Sequence, residues 1–152
     1  MIVNTAYIYM GSGGGGGEPA NPNLWQDGVA NYPVTLSDAE ISSGGLTLKR
    51  NGAATFSELP LTGFNNLTIS LTPNSNTQMF GAVVKIKFIN SAGELLGTET
   101  ADFGRPSGES PVNKTVNIPS SAKIQSAKIS ITNNSNHPSS RNSITLPSAL
   151  LS

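Results

Sequence analysis

The chain holds a single histidine, His137, inside the segment "NNSNHPSS". An imidazole that serves as base in nucleophilic catalysis needs a carboxylate to orient it, and nothing in the sequence points to that partner. The surrounding cluster of turn-forming residues reads instead as a solvated loop. Zinc sites draw on several histidine or cysteine ligands, and one histidine with no cysteine does not supply them. The acidic residues are scattered: Glu18, Asp27, Asp38, Glu40, Glu58, Glu94, Glu99, Asp102 and Glu109. A glycosidase needs two carboxylates about 5 to 10 Å apart across a cleft, and no motif marks such a pair. Asp38 and Glu40, with loop carbonyls, are the candidate ligands for a calcium ion, against their ordinary reading as surface carboxylates. The run of glycines at residues 13–17 lacks the G-K-[ST] ending and the helix of a phosphate loop. "NLT", "NKT" and "NNS" match the glycosylation pattern, as chance allows in a chain rich in Asn, Ser and Thr. No enzymatic activity and no required cofactor are expected.

Binding is better served than catalysis. Sugar rings stack their flat apolar faces on exposed aromatic side chains. Trp25 and Tyr32 are candidates for that role, with Phe103 and Arg105 of "ADFGRPSGES" as a second pair. Arg105 offers a planar fork of donors for hydroxyls or carboxylates. Against this, Trp25 and Leu24 also suit packing anchors of a Pro-rich segment, and Phe103–Arg105 an ordinary surface turn.

Composition narrows the partners. Nine basic and nine acidic side chains cancel, so no cationic excess exists to neutralise nucleic-acid phosphates. No polybasic amphipathic segment suits a membrane surface, and no apolar run approaches the roughly 20 residues of a spanning helix. The N-terminal "MIVNTAYIYM" has neither the basic leader nor the apolar stretch of a secretory signal. Release by cell lysis within an assembled particle would still take the protein outside a cell.

The elements follow from periodicity. Residues 2–10 are rich in β-branched and aromatic side chains and read as a strand that is apolar on both faces. The glycine tract cannot form core and acts as a joint. Residues 18–33, punctuated by Pro19, Pro22 and Pro33, read as an extended segment. From Val34 onward the pattern is β throughout. "GLTLKR" and "ATFSEL" flank Asn51-Gly52, a hairpin signal. "NLTISLT" places Leu67, Ile69 and Leu71 inward, and "AVVKIKFIN" sets Val84, Ile86 and Phe88 against Lys85 and Lys87. Leu46, Ile129 and Ile131 complete the expected core. Eight or nine short strands without a helical segment predict an all-β, antiparallel jelly-roll β-sandwich. The expected organisation is an anchoring strand and Gly-rich linker over 1–17, the Pro-rich segment over 18–33, and the sandwich over 34–152.

The stretch "AYIYMGSGGGGGEPANPNLWQDG" carries a resemblance. Tyr7, Ile8, Tyr9, the glycines, Pro22, Leu24, Trp25, Asp27 and Gly28 resemble the N-terminal segment of minor structural proteins from tailed bacteriophages and prophages of Gram-positive hosts. The remainder is similar to the jelly roll of galactose-binding-like and carbohydrate-binding modules. The resemblance implies a non-enzymatic virion protein, present in several copies among other virion proteins. Ile2, Ala6, Tyr7 and Ile8 would anchor it by β-augmentation, with the sandwich displayed on the glycine joint. The alternative is a carbohydrate-binding module that attaches to host-surface glycan.

Overall fold

A computed structural model describes residues 3–6, 21–59, 61–73, 82–104, 110–123, 127–134 and 143–152, with residues 3–6 described by their backbone alone. In chain order the elements are β1 (Val3–Ala6), β2 (Trp25–Gln26), β3 (Val29–Ala30), β4 (Val34–Ser42), β5 (Gly45–Leu59) and β6 (Asn66–Thr72). They continue with β7 (Ala82–Ile89), β8 (Leu95–Gly104), β9 (Val112–Asn117), a single helical turn α1 (Ser120–Lys123), β10 (Ala127–Asn133) and β11 (Ile144–Leu151). The fold is an all-β antiparallel jelly-roll sandwich.

Strand β5 organises it. Hydrogen bonding runs β8-β7-β10-β5-β11-β6-β9, and β4 lies along the other edge of β5. The first part of β5 pairs with β11, Leu46 opposite Leu146 and Leu48 opposite Ile144. Its second part pairs with β10, Ala54 opposite Ile131 and Phe56 opposite Ile129. One strand therefore belongs to two sheets, and the layers fold over each other across it. The terminal strands of the path, β8 and β9, lie against one another, so the sandwich approaches a closed barrel.

The crossing point corrects one expectation. Asn51-Gly52 does not reverse the chain, because β5 continues through it. Ser37 pairs with Ala53 and Ala39 with Leu48, so residues 49–52 of β5 oppose Asp38 alone. Asn51 (φ 59°) and Asp38 (φ 48°) both take the left-handed conformation, as residues of some bulge types do. A Cβ on Gly52 would stand 2.3 Å from the Asp38 carbonyl oxygen. Thus Asn51 supplies the left-handed conformation, and Gly52 the missing Cβ, for an excursion that carries β5 between sheets. The reversal lies upstream at Ser43-Gly44, between the paired residues Ser42 and Gly45.

Alternation in the other strands follows the pleat. Leu67, Ile69 and Leu71, then Val84, Ile86 and Phe88, then Ile129 and Ile131, all point into one core with Leu46, Leu48 and Phe56. Asn90 shapes the β7–β8 turn: its Oδ1 accepts from the Ala92 and Glu94 amides at 2.9 and 2.8 Å.

The boundary expected at residue 34 is also revised. Leu24, Trp25 and Ala30 are core residues, and the segment before β4 forms the small β2–β3 hairpin. Beyond its β5 contact, β11 has a free edge. Residues 22–24 occupy it: the Leu24 amide donates to the Ala149 carbonyl and the Leu151 amide to the Pro22 carbonyl. Strand β1 pairs with β4 of its own chain, Ala6 opposite Val34 and Val3 opposite Ser37. The expectation of a strand held apart from the domain is corrected for these four residues, since the first half of β4 offers them an edge in the same chain. The glycine tract lies outside the described residues.

Candidate functional site

The aromatic candidates divide. Of the two readings of Trp25, packing anchor and exposed platform, the structure bears out the first: it retains 2% exposure and stacks on Phe56, centroids 5.8 Å and planes 17° apart. Its indole N–H donates to the Leu146 and Pro147 carbonyls, at 3.1 and 3.0 Å. Those carbonyls fall where β11 loses β5 as a partner and bulges, so the indole closes a gap that backbone pairing leaves. Phe103 is corrected: at 7% exposure it shares the inward row of β8 with Ala101. Tyr32 is half-buried against the core, and its hydroxyl donates to the Asn21 carbonyl at 2.7 Å. Arg105, His137, Ile2, Tyr7 and Ile8 lie outside the described residues; Ala6 sits on β1. Trp25, Tyr32 and Phe103 therefore form no common aromatic surface.

Asp38 and Glu40 stand on β4, one at the bulge and one beyond it. No group of three or more His, Asp or Glu side chains suited to a metal occurs among the described residues.

What sequence reading passed over is Asn133. It is buried at the end of β10, and its side-chain amide donates to the Leu48 and Lys49 carbonyls at 3.2 Å each. It thereby serves the β5 carbonyls beside the excursion, as Trp25 serves those of β11. Its place on the inward row after Ile129 and Ile131 was the available signal.

The two outward faces differ in chemistry. On the β4–β5–β11–β6–β9 sheet, pairing aligns Glu40, Thr47, Thr145 and Thr72. A second row holds Ser148, Ser70 and Asn113, and a third Leu150, Thr68 and Thr115. Hydroxyls link across strands: Thr47 with Thr145 at 3.2 Å, Thr68 with Thr115 at 2.8 Å, and Ser148 to Ser70 at 3.1 Å. Ser70 in turn donates to the Asn113 side-chain carbonyl. Apart from Glu40 at its rim, the described residues in these rows carry no charge. This face can exchange many neutral hydrogen bonds from a preformed surface. Leu150, 40% exposed, adds an apolar point within it.

The opposite face, over β4–β5–β10–β7–β8, aligns Thr35, Thr55, Ser130, Lys87 and Thr98 in one row. The next row holds Ser37, Ala53, Thr132, Lys85 and Thr100. Lys128, opposite Ile89, adds a third cation.

No family model matches the chain. No curated protein matches it either. Among solved structures it is similar to a glycoside hydrolase family 43 arabinoxylan arabinofuranohydrolase from Bacillus subtilis in complex with cellotetraose. That match has 9% identity and a TM-score of 0.50, over 87% of this chain and 23% of the other. A xylanase from Cellvibrio japonicus in complex with xylopentaose matches with 14% identity and a TM-score of 0.50, over 78% of this chain and 24% of the other. A xylan-binding module aligns at 14% identity and a TM-score of 0.49, over 99% of this chain and 95% of that one. The chain thus spans about a quarter of the length of the two enzymes it superposes on, and at these identities the likeness is one of fold.

Proposed function

We propose that this domain is a non-catalytic carbohydrate-binding module that takes a neutral glycan on the outward face of β5, β11, β6 and β9. The observation that carries the reading is the uncharged hydroxyl and amide surface of Thr47, Thr145, Ser148, Ser70, Asn113, Thr68 and Thr115. Each of these groups both donates and accepts, which matches the hydroxyls of a sugar chain. The rigid sheet keeps the ordering cost of binding low. Fold adds an association only: the two superposable enzymes were solved with cellotetraose and xylopentaose. With neutral hydrogen bonds each worth about 0.5–1.5 kcal/mol net, binding is weak and rests on several contacts at once. Electrophoresis of the full chain through gels containing neutral polysaccharides such as xylan tests this. Retardation that Ser70→Ala with Thr68→Ala reduces is expected. Unchanged mobility in every neutral polysaccharide sinks the reading.

A second reading is a phage virion component that displays this sandwich in several copies. The resemblance of residues 6–28 favours it. So does the place of β1, outermost of the described strands on its sheet, where a neighbour's strand can add by β-augmentation. Ile2, Ala6, Tyr7 and Ile8 are then the attachment residues. Purified particles probed for this chain test it: Ile8→Asp should abolish incorporation, and normal incorporation overturns the attachment role.

A further inference from the structure

We propose that the outward face of β10, β7 and β8 is a second binding surface, for an acidic polysaccharide whose sugar rings bear carboxylates. Lys85 and Lys87 alternate with the inward Val84, Ile86 and Phe88, so both ammonium groups extend from one face. Lys128 joins them from the neighbouring strand. None of the three forms an ion pair or hydrogen bond with a described residue.

Their cross-strand neighbours are neutral hydroxyls. Lys87 lies between Ser130 and Thr98, and Lys85 between Thr132 and Thr100. Exposed strands usually relieve such a cluster by setting opposite charges across from it. Here the carboxylate on the same face of β8 is Asp102, paired with Val83, and its Oδ1 already accepts from the Gly104 amide at 2.9 Å. Glu99 lies opposite Ile86, on the core-side row, and Glu94 accepts from the Asn90 side-chain amide at the turn. Among the described side chains no carboxylate is paired with any of the three cations, which stand open to an outside anion on a molecule of zero net charge.

The hydroxyls between them decide the class of that anion. Thr98, Thr100, Ser130 and Thr132 suit the hydroxyls of a sugar, while the lysines suit repeated carboxylates as point charges. Nucleic acid fits less well, because the described outward residues of these strands include no aromatic platform for bases and no arginine. The neutral-glycan face lies on the other sheet, so the two sites fail or hold separately.

The test is affinity electrophoresis and calorimetry of the full chain with polygalacturonate. Binding should weaken as sodium chloride rises from about 50 to 500 mM, because salt screens exposed charges. Each of Lys85→Gln, Lys87→Gln and Lys128→Gln should lower affinity about twofold to fivefold, and the triple variant about tenfold or more. Thr100→Glu keeps every lysine and places a carboxylate opposite Lys85; it should weaken binding comparably, which guards against misfolding of the triple variant. Loss of acidic-polymer binding should leave retardation in neutral polysaccharide unchanged. The proposal is overturned if polygalacturonate is not bound, if Thr100→Glu and the triple variant bind as the parent does, or if duplex DNA binds more tightly than polygalacturonate.

Discussion

Trp25 lies flat on Phe56 while its indole N–H reaches the Leu146 and Pro147 carbonyls, more than 120 residues along the chain. The ring fills core volume and the nitrogen serves the β11 bulge, so the two contributions separate by mutation. Trp25→Ala should destabilise the domain by about 3–5 kcal/mol through lost burial and cavity. Trp25→Phe keeps an aromatic contact but withdraws the donor, and should cost about 1–3 kcal/mol. Denaturant unfolding measures both. A cost below about 0.5 kcal/mol for Trp25→Ala would restore the ring to a surface role.

Asn133 makes the matching test at the other crossing. Asn133→Leu keeps the branched shape and heavy-atom count but leaves the Leu48 and Lys49 carbonyls without this donor. A loss of about 1–3 kcal/mol is expected. Amide exchange near residues 48–53 should accelerate more than exchange in β6.

Three glycines separate strain from crowding. Gly45 has φ +113°, and a Cβ there would meet the Leu146 carbonyl oxygen at 2.2 Å. Gly52 is similarly blocked, by the Asp38 carbonyl. Gly63 has φ +92° with open space around it. Gly63→Ala should therefore cost only backbone strain, about 1–2 kcal/mol. Gly45→Ala and Gly52→Ala should cost clearly more, since main chain must move. Equal thermal shifts for all three would contradict the described packing.

Truncation locates the edge of the domain. A chain starting at residue 21 loses β1 but keeps β4 paired along β5, and should unfold cooperatively with β-type circular dichroism. A chain starting at Val34 also loses Leu24, Trp25 and Ala30 from the core. It should aggregate or melt far earlier. Equal stability of the two would return residues 21–33 to the status of a linker.

The strand pattern was legible where a sheet has one wet and one dry face. "NLTISLT" and "AKISITN" alternate strictly, "AVVKIKFIN" does so over Val84–Phe88, and each became a strand with the expected inward set. Asn51-Gly52 misled because left-handed geometry serves bulges as well as hairpins. Phe103 misled because its neighbours Gly104 and Pro106 suggest a turn, while its parity with Ala101 sets it inward. Trp25 was legible as a packing anchor, but the gap in the sheet that its nitrogen fills was not, because it is made by residues more than a hundred positions away. The candidate faces were half legible. Lys85 and Lys87 were assigned outward from the sequence, but alignment of hydroxyls from four strands depends on register, which local pattern does not specify.

The sharing of β5 between two sheets also sets the order in which the protein can fold. Its early residues need β11, with Thr47 and Thr145 separated by 98 positions. Until β11 is synthesised, β5 and β6 lack the strand that joins them, and Leu46, Leu48, Leu67 and Ile69 have an incomplete core to enter. Such distant pairings make folding slow, and the waiting half-sheets are open to mispairing between molecules. On the ribosome this domain should therefore stay protease-sensitive until β11 emerges, then become resistant in a single step.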